Sequence, residues 1–242
     1  MTLSLFLCAL LIFLTAFTGG ILPLWIKPKH ENHLKLYISF GAGLLLSMAF
    51  LHMIPEAFKL IPNSFGIWLL FGFCLLLVLE RFIMVHACEE HGCHYHTVGL
   101  TAFMGLTIHG LIEGFALASS QLVANLGILV LIAILSHKAP AGIALTSILK
   151  MSGKKNGQIL GFVTGVALSG PIGIFLAYCL LQSKDYQNAA GTLLSVSAGT
   201  FIYIGACDLL PEIHRTDGEK LQRLISFIIG ILISIISGYL IH

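Results

Sequence analysis

The stretch His109-Gly110-Leu111-Ile112-Glu113-Gly114-Phe115-Ala116-Leu117-Ala118-Ser119 returns 28 residues later as His137-Lys138-Ala139-Pro140-Ala141-Gly142-Ile143-Ala144-Leu145-Thr146-Ser147. His, Gly, Ala, Leu and Ser coincide. Both copies lie in apolar runs long enough to cross a bilayer, each with its histidine near mid-depth. An ionisable group there is costly and marks a functional site with a partner. Two such groups in one frame decide the fold reading: neighbouring, antiparallel membrane helices that bring their polar side chains to one level.

The composition agrees. Of 242 residues, 57% are hydrophobic and 10% charged, with a mean hydropathy of +0.95, whereas soluble domains carry about 25% charged residues. Such a chain cannot cover a water-facing surface. It reads as an integral membrane protein whose solvent is the lipid bilayer, with no soluble domain of any size. A net charge of +2 implies no nucleic-acid partner. Cys8, Cys74, Cys179 and Cys207 fall in apolar runs, as small buried hydrophobes rather than a disulfide framework. The apolar N-terminus lacks a basic start and an Ala-x-Ala cleavage site, so it reads as the first span.

Apolar stretches fall at about 2–26, 34–60, 65–85, 98–121, 125–149, 157–182, 188–212 and 221–241, each near the roughly 20 residues a helix needs to cross. Helix is the default because only helices and closed barrels satisfy every backbone group in lipid, and the short alternating segments of a barrel are absent. The expectation is an all-α protein of eight transmembrane helices forming one domain, 1–242. One membrane face receives Lys27, Lys29, Lys35, Arg81, Lys150, Lys154, Lys155, Arg215, Lys220 and Arg223, while the other receives Lys59 and Lys184. The basic face is cytoplasmic, so both termini are expected outside.

A second alignment joins the second and seventh spans at an offset of 156. Ser39-Phe40-Gly41-Ala42-Gly43 matches Ser195-Val196-Ser197-Ala198-Gly199, and His52-Met53-Ile54-Pro55-Glu56 matches Asp208-Leu209-Leu210-Pro211-Glu212. Spans five apart run in opposite directions. The expected plan is therefore three spans, two spans, three spans with inverted-repeat symmetry, a plan that places substrate near the midplane between repeats.

His109 and Glu113 stand at i and i+4 and project from one helix face. His137 adds a third group from the next helix. Imidazole with carboxylate suits borderline divalent ions such as zinc, iron or manganese. Lys138 needs an anionic partner at that depth; Glu113 is nearest by depth, with Asp208 as the alternative. His52 and Glu56 lie toward the outer face and Asp208 and Glu212 toward the inner face, as candidate pathway groups.

These residues resemble the ZIP (Zrt/Irt-like) family of divalent metal transporters over the whole chain. The fourth-span pattern His-Asn-x-x-Glu-Gly appears as His109-Gly110-Leu111-Ile112-Glu113-Gly114. The fifth-span pattern, often His-Glu-x-x-x-Glu, appears as His137-Lys138-Ala139-Pro140-Ala141. The seventh-span stretch Ala198-Gly199-Thr200-Phe201-Ile202-Tyr203 through Leu210-Pro211-Glu212 is similar as well. The resemblance implies uptake of metal toward the cytoplasm by alternating access, one bundle moving against another. The metal is the transported substrate, zinc foremost, with Fe2+, Mn2+ and Cd2+ as alternatives, and no resident cofactor or enzymatic activity is implied. Members with two adjacent metals carry carboxylates or an amide where this chain has Gly110, Lys138, Ala141 and Gly170. The resemblance therefore implies one metal, on His109, Glu113 and His137, with Lys138 filling the second site electrostatically.

The segment 86–97 is expected to be a cytoplasmic loop whose His86, Cys88, His91, Cys93, His94 and His96 contact metal. A plasma (inner) membrane suits the short loops, and a homodimer is compatible. Two other classes compete. A membrane-embedded zinc hydrolase would show His-Glu-x-x-His, which is absent, and a metal-responsive receptor or channel would conduct faster than a carrier that rearranges on each cycle.

Overall fold

The computed structural model describes residues 3–26, 31–84, 93–120, 126–180, 186–211 and 220–239. Among them every regular element is helical, and they form eight rods. The first is α1 (Leu3–Ile26). The second is α2 (Glu31–Met48), continued through a π-helical turn (Ala49–Met53) into α3 (Ile54–Leu60). The third is α4 (Phe65–Val78), ending in a π-helical turn (Leu79–Met84). Then come α5 (Cys93–Ser120), α6 (Leu126–Met151) and α7 (Asn156–Leu180). The seventh is α8 (Tyr186–Ile202), continued by a π-helical stretch (Tyr203–Leu209), and the eighth is α9 (Lys220–Tyr239). Six stretches among the described residues are long and apolar enough to cross a membrane: Ser4–Trp25, Leu34–Leu60, Val98–Ala118, Val130–Met151, Asn156–Cys179 and Asn188–Leu209.

The outer surface is apolar. Trp25, Ile67, Leu70, Ile128, Phe175, Leu221 and Ile236 are all exposed, a surface suited to lipid rather than water. The polarity lies inside instead. Ser47, Ser147, Ser169, Ser195 and Thr200 are buried, and each returns its hydroxyl to a carbonyl three or four residues earlier on its own helix. That local bond lets a hydroxyl be buried without a partner across the bundle. Other bonds do cross. Thr146 donates to the Gly20 carbonyl (2.6 Å) and Lys150 to that of Pro23 (2.9 Å), tying α6 to the end of α1. A cation suits the last carbonyls of a helix.

Among the described residues, glycines bring four helix pairs together backbone to backbone: α1 with α6, α5 with α7, α2 with α9, and α4 with α8. Glycine makes each approach possible. A Cβ on Gly43 would strike the Phe227 carbonyl and one on Gly230 that of Phe40; in the same way Gly199 meets Leu69 and Gly72 meets Val196. Gly19 lies on Ala139 and Gly142 on Ala16 and Gly20, while Gly173 lies on Leu111 and Gly114 on Gly170. Small residues at such crossings are how helices pack tightly where lipid gives no hydrophobic drive.

One boundary departs from expectation. The helix α5 starts at Cys93, so Cys93, His94 and His96 belong to its first turn rather than to a loop ending at 97. The apolar run begins later, but a helix already nucleated extends at the gain of one hydrogen bond per residue. The positions His86, Cys88 and His91 lie outside the described residues, as does Glu212.

Candidate metal site

His109 sits near the middle of α5 and Glu113 one turn further on, both buried; His137 and Lys138 are buried at the corresponding level of α6. The helices α5 and α6 pack side by side. One ligand atom from each of His109, Glu113 and His137 lies within 4.8 Å of the others. Glu113 is the hub. Its Oε1 lies 2.9 Å from His109 Nε2 and is hydrogen-bonded by His137 Nε2. Its Oε2 takes the Lys138 ammonium. Of the two partners open to Lys138 in the sequence, the structure has Glu113.

The two imidazoles are held differently. His109 Nδ1 is hydrogen-bonded to Ser197 Oγ on α8 at 2.9 Å, and its ring lies 4.2 Å, centroid to centroid, from that of Phe201. His109 Nε2 and His137 Nδ1 are buried without an aligned hydrogen bond. Both histidines and Lys138 line a small cavity whose other walls include Leu44, Leu45 and Met48 of α2 and Phe201 of α8. A buried imidazole nitrogen lacking an aligned partner, beside a carboxylate oxygen and a cavity, is a donor set a divalent cation can satisfy.

The profile of the family described as "ZIP Zinc transporter" matches residues 2–91 and 84–238. The chain belongs to the ZIP zinc transporter family. Similar proteins include zinc transporter ZIP13 of Pongo abelii, 27% identical across 97% of this chain and 79% of that protein. Zinc transporter ZIP9-A of Xenopus laevis is 26% identical across 96% of each. Zinc transporter ZIP13 of Mus musculus is 24% identical across 97% and 81%.

Among the described residues, the candidates His52, Glu56 and Asp208 of this ZIP protein are engaged elsewhere than at the hub. His52, in the π-helical turn after α2, bonds through Nε2 to the Ser234 carbonyl of α9 (3.0 Å). Glu56 pairs with Lys59 at 3.0 Å on the exposed surface of α3, where an ion pair contributes little. Asp208 is buried and accepts a hydrogen bond from Thr101 at 2.7 Å, close to the Glu80 carboxylate, to which Tyr203 donates. Replacing Thr101 by valine strips a donor from a buried carboxylate and should cost about 1–3 kcal/mol. The check is a thermal unfolding midpoint in detergent that falls in Thr101→Val and stays at the wild-type value in Thr101→Ser.

Sequence reasoning did not assign Ser197 or Phe201 to the site. Ser197 stands inside the window aligned between the second and seventh spans, and His109 needed a partner for its second nitrogen, but nothing local set this serine apart.

Proposed function

We propose that this chain carries divalent metal, zinc foremost, toward the cytoplasm, with one ion held by His109, Glu113 and His137. The observation that carries the reading is the convergence of two imidazoles and one carboxylate oxygen, all buried, on neighbouring helices beside a cavity. Two nitrogens and one oxygen leave a tetrahedral ion one open position, as a passing substrate needs.

Lys138 stands in for a second ion. A Cβ built on Gly110 would come within 3.2 Å of the Lys138 ammonium and collide with the Ser169 hydroxyl. The space that a longer side chain at 110 would use is thus filled by the Ser169 hydroxyl and bordered by a tethered cation. With Lys138 on one oxygen of Glu113, the other stays directed at the histidines.

The proposed scaffold is a single transmembrane domain of eight spans, arranged 3+2+3 as an inverted repeat. Several correspondences support it. The Gly43–Phe227 and Phe40–Gly230 contacts of α2 with α9 have counterparts in the Gly199–Leu69 and Val196–Gly72 contacts of α8 with α4. Position 43 aligns with 199 and 40 with 196 at the offset of 156. The Gly142–Ala16 and Ala139–Gly19 contacts of α6 with α1 likewise answer the Gly114–Gly170 and Leu111–Gly173 contacts of α5 with α7, where 142 aligns with 114 and 139 with 111 at the offset of 28. The π-helical turn Ala49–Met53 aligns with Gly205–Leu209, inside the π-helical stretch of α8. Such interruptions recur at functional sites.

The glycine contacts that meet backbone also sort the helices. In one set α1 joins α6 and α5 joins α7, with α1 also against α7; in the other are the pairs α2 with α9 and α4 with α8. The metal-holding side chains stand on the first set, while Ser197, Phe201 and Met48 face them from the second. Movement of one set against the other would turn the site from the outer face, near His52 and Glu56, to the inner face, near Asp208. The loop charges support a cytoplasmic inner face and external termini.

Uptake of radioactive zinc into proteoliposomes tests the function, with cold iron, manganese and cadmium as competitors. Saturable uptake is expected, lost in His109→Ala and His137→Ala. Undiminished uptake in both variants would overturn the site, and no uptake by well-folded wild type would overturn the transport reading.

A further inference from the structure

We infer that Ser197 is a positioning residue for the metal site: its hydroxyl fixes the orientation and tautomer of His109, and the site binds zinc more tightly for it. The inference rests on the site reading above. An imidazole that ligates through Nε2 must carry its proton on Nδ1, and a partner at Nδ1 holds both the tautomer and the ring angle. Ser197 Oγ lies 2.9 Å from His109 Nδ1 and is fully buried, so water does not compete for the bond. In the zinc-bound tautomer Nδ1–H would donate to that oxygen, leaving the Nε2 lone pair, which lies 2.9 Å from Glu113 Oε1, free for an ion between them.

Local structure singles out Ser197 from the other hydroxyls of α8. Ser195, two residues earlier, is equally buried but spends its hydroxyl on the Gly191 carbonyl of its own helix at 2.8 Å. Thr200 donates to the Ser197 carbonyl at 2.7 Å. Phe201, one turn beyond Ser197, lays its ring on His109. The helix α8 thus grips His109 at an edge and a face.

His137 has no equivalent grip. At the offset of 156 the counterpart of Ser197 is Gly41, which has no hydroxyl, and that of Phe201 is Leu45. His137 Nδ1 is buried with no hydrogen bond, and Leu45 lines the cavity beside it. One histidine is set in place before the ion arrives; the other is oriented only by the carboxylate it shares.

The test is zinc affinity of purified protein in detergent, read by competition with a chromophoric chelator. Partners that orient a metal-bound histidine are worth about 10–100-fold in affinity, so Ser197→Ala should weaken zinc binding at least about 10-fold. Ser195→Ala, which removes an equally buried hydroxyl bonded only to its own helix, should leave affinity within about two-fold of wild type. Ser197→Thr, which keeps the hydroxyl, should recover most of the loss. Unfolding midpoints of the zinc-free variants separate packing damage from positioning. Ser197→Ala binding zinc as wild type does, in a protein whose affinity His109→Ala abolishes, would overturn the inference and leave the site standing. His109→Ala and Glu113→Ala binding as wild type does would overturn the site itself.

Discussion

Replacing Glu113 with alanine should abolish zinc uptake and also destabilise the protein, and the two effects should come apart when Lys138 is changed with it. Glu113 faces both imidazoles through one oxygen and the Lys138 ammonium through the other. Its removal takes away the one carboxylate of the proposed site, so uptake should fall by more than the roughly 10–100-fold that supporting groups of a metal site supply. It also strands Lys138, which is 3% exposed. Breaking a buried ion pair from one side costs about 3–5 kcal/mol, whereas replacing both partners by apolar residues is often neutral or stabilising. Thermal unfolding should therefore show Glu113→Ala well below wild type and Glu113→Ala/Lys138→Met restored toward it, with uptake absent from both. A double variant that regained uptake would remove Glu113 from the site. A single variant as stable as wild type would remove the ion pair from the account.

The second large effect concerns packing. Gly114→Val should prevent a well-packed fold, while Gly161→Ala should leave the fold intact and slightly more stable. The Gly114 Cβ would fall on the Gly170 carbonyl and 2.8 Å from the Ile174 nitrogen. Both obstacles are backbone, which cannot rotate aside as a side chain can. Overpacking usually costs about 1–3 kcal/mol, and valine here would push α5 off α7 beside Glu113, so site and fold should fail together. Gly161, on the outer face of α7, has nothing within 4 Å of its would-be Cβ, and alanine there should gain about 0.5–1 kcal/mol of helix stability. Size-exclusion profiles and unfolding midpoints in detergent check both. A monodisperse, fully stable Gly114→Val protein would contradict the close α5–α7 contact.

Much of this arrangement could be read before the structure, for identifiable reasons. The helical rods were legible because crossing lipid demands long apolar runs, a constraint that acts on composition alone. That His109, Glu113 and His137 would converge was legible because the i, i+4 spacing of His109 and Glu113 fixes a common face, and the 28-residue frame sets His137 at the same level. The π-helical turns at Ala49–Met53, Leu79–Met84 and Tyr203–Leu209 left no such mark. Their register depends on how displaced backbone groups are satisfied within the bundle, which no local pattern reveals. Lys138 could be given two partners from depth alone, and only the side-by-side packing of α5 and α6 chose Glu113. Ser197 was visible but uninformative, because a serine among small residues in a membrane helix ordinarily bonds its own backbone, as Ser195 does. The early start of α5 at Cys93 lay beyond reach for the opposite reason: hydropathy marks where lipid begins, not where hydrogen bonding stops.

The measurement that reaches the central claim most directly is X-ray absorption at the zinc edge of the purified, zinc-loaded protein, alongside His109→Ala. The account predicts one zinc per chain, with two imidazole nitrogens and carboxylate oxygen at about 2.0–2.2 Å, and one imidazole fewer in the variant. Sulfur at about 2.3 Å, or a spectrum unchanged by His109→Ala, would place the ion elsewhere and contradict it.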